Sequence, residues 1–122
     1  MIKHLLNAMK LNEPTDFFVQ GSAPHPYQVR VMKIQNRLLA TCTCQAGVYG
    51  QLCKHVTRII NGDTQGVISG NLEEVRNMPA FIEDTVVPGL FQEIKRMERE
   101  AESAKLALKK AKNELADSLS GS

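Results

Sequence analysis

Three cysteines and a histidine fall close together in the chain, as Cys42-Thr43-Cys44 and, after eight intervening residues, Cys53-Lys54-His55. Soft thiolates and an imidazole make a Cys3His set, which zinc takes tetrahedrally at about 2.3 Å for sulfur and about 2.0–2.1 Å for nitrogen. Four protein ligands close the shell and leave no position for a substrate, so the expected role of one zinc ion is structural. A lone C-x-C would read equally as buried thiols or a redox pair; the C-x-H that follows favours the metal. Three cysteines cannot all pair within one chain, and a reducing cytosol keeps thiols available for metal. A redox enzyme would need an exposed cysteine of low pKa that no metal locks, and nothing in the sequence marks one.

The elements that must position these ligands follow from periodicity. Phe17 to Gln20, Tyr27 to Ile34 and Leu38 to Thr43 read as three strands, with turns at Gly21 to Pro26 and Gln35 to Arg37. On a flat strand the Cys42 and Cys44 sulfurs stand too far apart for one ion, so the chain is expected to curl away there. Gly47 and Gly50 let the loop return Cys53 to the ion. Val56, Ile59 and Ile60 share a helical face, so Cys53 and His55 open a helix that Gly62 stops. Upstream, Ile2, Leu5, Leu6 and Met9 predict a short amphipathic helix ended by Asn12-Glu13-Pro14. Downstream, Asn61 to Gly70 reads as a loop, and Asn71 with Glu74 resembles a capping box before a short helix limited by Pro79.

From about Val86 to Ser118 the chain is rich in Ala, Glu, Lys and Leu, which predicts a long helix capped by Asp84 or Thr85. Leu90, Ile94, Met97, Ala101, Ala104, Leu108, Ala111 and Leu115 form a heptad seam along it. Three of these eight positions are alanine, so the seam buries little area. Self-association, or docking on the same chain or on a different protein, would satisfy it. Glu100 would meet Lys105 of a parallel partner but Glu93 would face Glu98, so the pairing direction stays open. The expected class is α+β, organised as an N-terminal helix and zinc module over residues 1–62, a linker with a short helix over 63–85, and a helical arm over 86–119.

The pattern C-x-C, a variable loop, then Cys-Lys-His after a β-hairpin resembles the SWIM zinc-finger family across roughly residues 16–62. The resemblance implies Cys42, Cys44, Cys53 and His55 as ligands and, since these domains accompany transposases, remodelling ATPases, recombination accessory proteins and ubiquitin-pathway proteins, contacts with DNA or with protein. An aromatic often found shortly after C-x-C in that family has Tyr49 as its counterpart here.

Charge points to the nucleic-acid side of that choice. The chain carries +2 overall, but residues 1–62 hold seven basic side chains against two acidic ones, whereas residues 63–122 hold eight against eleven. Arg30, Lys33, Arg37, Lys54 and Arg58 lie on or beside the expected hairpin and helix; they serve either as phosphate contacts or as a solvated surface. His4 and His25 have no ligand company, and Glu73, Glu74, Glu83 and Asp84 have no catalytic partner, so caps and solvation explain them. The expected function is a non-enzymatic module that binds nucleic acid, DNA or RNA, with the arm joining copies into a homo-oligomer. The competing reading is a protein adaptor. With no leader and no apolar run near the ~20 residues that cross a bilayer, an intracellular protein is expected, cytoplasmic or, in a eukaryote, nuclear.

Overall fold

The computed structural model describes residues 9–121, so the expected helix over Ile2 to Met9 lies almost wholly outside the described residues. Three strands, β1 (Thr15–Val19), β2 (Tyr27–Ile34) and β3 (Arg37–Cys42), form an antiparallel sheet in sequence order. Five helices follow: α1 (Gln45–Val48), α2 (Lys54–Ile60), α3 (Leu72–Arg76), α4 (Met78–Phe81) and α5 (Val87–Leu119). The class is α+β. Two compact units divide the chain, the first ending at Val87 and the second running from Pro88.

Alternation along the strands decides which sheet face carries the core. Phe17, Val19, Val29 and Val31 are buried on one face, while Asp16 and Arg30 point from the other and pair through two hydrogen bonds of 2.7 and 3.1 Å. The β2–β3 turn is two residues long, and Gln35 within it takes a left-handed φ of 55°. A turn this short fixes register. Register in turn sets Cys42 opposite Val29, on the core face; a slip of one residue would send its sulfur to the other side of the sheet.

The segment read as a linker belongs to the core of the first unit. Val75, Met78 and Ile82 are buried together with Ile59 and Ile60 of α2. Residues 66–68 run beside the edge of β1, where Gln20 N–H donates to Gly66 O, Ile68 N–H donates to Phe18 O, and Val67 bridges Val19. No capping box forms at α3. The Asn71 side chain instead donates to Asp16 O and accepts from Ser69, so tying the strand edge displaces its local role. Pro79 opens α4 in its first turn, where a missing N–H costs nothing.

Lys33 spans the same two layers. Its Nζ donates to Phe81 O at 2.7 Å, pairs with Asp84 at 3.0 Å and lies 4.5 Å over the Phe81 ring. The stem is covered, as the aliphatic part of a lysine permits. In the second unit, α5 is 33 residues long and none of them is buried. Arg96 pairs with Glu93 and Glu100 on its surface, at 2.5 and 2.7 Å. Among the described residues, no helix is long and apolar enough to cross a membrane.

Candidate metal centre

Each ligand residue sits where one element ends or another begins. Cys42 is the last residue of β3, Cys44 caps α1, Cys53 caps α2, and His55 is the second residue of α2. The strand therefore stops at Cys42, which supplies the bend that the C-x-C spacing requires. Both capping sulfurs accept backbone N–H groups, Cys44 Sγ from Gly47 and Cys53 Sγ from Val56, each at 3.4 Å. Cysteine thus replaces the usual Ser or Asp at these caps, and each sulfur that caps a helix also belongs to the cluster that could hold an ion.

Gly47 is needed for clearance. A Cβ at that position would lie 2.3 Å from Cys42 O, inside any allowed contact. Gly50 answers the other requirement, with a φ of 74° that few side chains adopt. Together they bring four buried residues into one cluster whose ligand atoms lie within 4.8 Å of one another. The three cysteines form no disulfide.

This geometry fits a tetrahedral ion. His55 Nδ1 lies 3.8 Å from Cys42 Sγ, close to the S···N separation of about 3.5 Å that zinc bond lengths impose on a tetrahedron. The other ring nitrogen, Nε2, is buried without a hydrogen-bond partner. Tyr27 lies against the imidazole with ring centroids 4.7 Å apart, and Gly21 makes room for both rings, since a Cβ there would be 2.5 Å from the Tyr27 ring. Neither Tyr27 nor Gly21 stands out in the sequence as part of a site. Tyr27 reads there only as the first residue of an alternating strand.

The electrostatics differ from one residue of the cluster to the next. Burial pushes the Cys42 thiol up to about 12. Burial also acts on Cys44, but N–H donation from Gly47 and the neighbouring sulfurs outweigh it and hold that thiol below its ordinary value. Burial first, then the charges of Lys54 and Arg58, depress His55 and keep its ring neutral. Three crowded thiols cannot all ionise without a cation among them, whereas a neutral imidazole is ready to ligate. A divalent metal matches both conditions.

The five basic residues separate into two groups. Arg30 is paired with Asp16 and Lys33 with Asp84, whereas Arg37, Lys54 and Arg58 have no ion-pair partner among the described residues. Lys54 and Arg58 lie on α2 beside the metal centre, and Arg37 opens β3 at the opposite end of the strand from Cys42. Of the seam, Leu90, Ile94, Met97, Leu108 and Leu115 are exposed large apolar residues, and Ala101, Ala104 and Ala111 are exposed between them. Comparison with family models, with curated proteins and with solved structures finds no match to this chain.

Proposed function

We propose that the first unit is a SWIM-like, non-enzymatic module that holds one structural zinc ion and binds nucleic acid, and that α5 joins two copies. The observation that carries the reading is the buried cluster of Cys42, Cys44, Cys53 and His55, with ligand atoms within 4.8 Å, set in a stretch from Phe17 to Gly62 that contains no acidic residue. The ion supplies a cross-link between β3, α1 and α2 that so small a core needs. Three thiolates and a divalent ion leave one negative charge at the centre, too little to cancel the cations around it.

Elemental analysis tests the metal: one zinc per chain is expected, and less than half an equivalent that zinc addition does not raise would sink the site. The partner is tested by salt dependence. If Arg37, Lys54 and Arg58 meet phosphates, log affinity against log salt should slope at about −2 to −3, whereas all five cations would give about −3.5 to −4.5. Absence of binding to any DNA or RNA at ~50 mM salt, where such contacts are strongest, would leave the adaptor reading. The adaptor is favoured by one observation of its own, the 33-residue helix without a buried residue.

A further inference from the structure

The loop between Cys44 and Cys53 exposes apolar side chains that a small domain would ordinarily bury. Val48 is 70% exposed, Tyr49 72% and Leu52 63%. All eight residues from Gln45 to Leu52 are uncharged. The loop is also held in place at both ends by ligand residues that cap helices, and inside by donation from Val48 N–H to Cys44 O, Tyr49 N–H to Gln45 O and Gln51 N–H to Ala46 O. An exposed ring on so fixed a backbone loses little freedom on contact, which is what makes tyrosine an effective anchor.

We infer that this loop is a stacking platform for an unpaired base of single-stranded nucleic acid, with Tyr49 as the ring beneath the base and Lys54 and Arg58 as the cations beside its phosphates. The inference rests on the nucleic-acid reading above and narrows it. Charge complementarity selects the occupant. No acidic residue lies between Phe17 and Gly62, Arg30 and Lys33 are already paired, and Arg37 is about 17 Å away along β3 at 3.4 Å per residue. Lys54 and Arg58 lie on α2, which follows the loop. A duplex offers no base face to a ring, because neighbouring pairs cover it, whereas a single strand offers one at every nucleotide. Of the elements beside the loop, only α2 carries the two unpaired cations. It has seven residues, and His55, Ile59 and Ile60 face inward.

The test uses the full-length, zinc-loaded protein with a labelled 12-nucleotide single strand of mixed sequence and a hairpin duplex of matched composition, at ~50 mM salt. Tighter binding of the single strand is expected. Tyr49→Ala should weaken it about 5–150-fold, Tyr49→Phe should restore it, and the salt slope should stay constant because no charge has changed. Zinc content of each variant confirms that the module is intact, since Tyr49 is no ligand. Equal binding by Tyr49→Ala and the parent, or a preference for the duplex, would overturn the platform while leaving nucleic-acid binding in place. A poly-glutamate peptide of equal charge that displaced the strand as well as unlabelled strand does would also overturn it, and would point to an acidic protein surface. No binding of either form by the parent protein would overturn the broader reading, and the platform with it.

Discussion

The first unit and α5 solve the problem of apolar surface in opposite ways. In the first, the sheet, α2 and α4 enclose Phe17, Val29, Val31, Ile59 and Met78, and four ligand residues gather in one buried cluster beside that core. In the second, a single helix carries five large apolar side chains of its seam in the open, stabilised along its own length by pairs such as those of Arg96 with Glu93 and Glu100. Such pairs contribute about 0.2–0.5 kcal/mol each, too little to stand in for a core. The contrast teaches that the first unit buries its apolar surface within itself, whereas α5 leaves its seam in the open.

The largest effect should come from breaking the metal centre. Cys53→Ser removes a ligand while leaving a hydroxyl that still caps α2, so its effect reports on the metal, and apparent zinc affinity in such sites is about 10–16 kcal/mol. The first unit should lose its zinc and its dispersed amide spectrum, while the helical signal of α5 persists. Simultaneous collapse of both would break the comparison. Next in size is Met78→Ala, expected to destabilise the first unit by about 2–5 kcal/mol in urea unfolding. A change below about 0.5 kcal/mol would mean that the core ends near Gly62 after all.

Charges in the seam should act on association alone. Ile94→Asp with Leu108→Asp should convert a dimer at tens of micromolar into a monomer by sedimentation, with zinc content and the unfolding midpoint of the first unit unchanged. A monomeric parent would assign the seam to a different protein. The smallest effect belongs to Asp84, whose carboxyl the Lys33 hydrogen bond holds below its ordinary 3.8. A depressed carboxyl stabilises the fold above the unfolded value and loses that contribution as pH falls through the folded one. Asp84→Asn should therefore differ slightly from the parent near neutrality, and the gap should close below about pH 3.8. A gap that widened in acid would place the carboxylate in a different role.

Local chemistry was legible in the sequence wherever one residue type has few alternatives. The Cys/His spacing, the alternation of Val29 and Val31, the helix opening at Cys53 and the long helix from near Val86 all rest on short-range rules, and the structure reproduces them. What the sequence could not show depends on distant partners. Arg30 and Lys33 look like free cations until Asp16 and Asp84 arrive beside them. Asn71 looks like a cap until a strand edge offers it a carbonyl. Val75, Met78 and Ile82 show too weak a periodicity to announce a core, because two short helices bury one residue each and Ile82 follows the second. Tyr27 is a strand residue by pattern and a neighbour of the ligand histidine only by fold.

The burial of Met78 and Ile82 also bears on how the protein is made. A ribosome adds about 5–20 residues per second, so these side chains emerge a second or more after His55, when all four ligands are already outside. If the cluster holds a metal, the nascent chain would be able to take it up before its apolar interior is closed. A metal delivered at that stage would meet an open hairpin, and the segment that carries Val75, Met78 and Ile82 would complete the apolar interior afterwards.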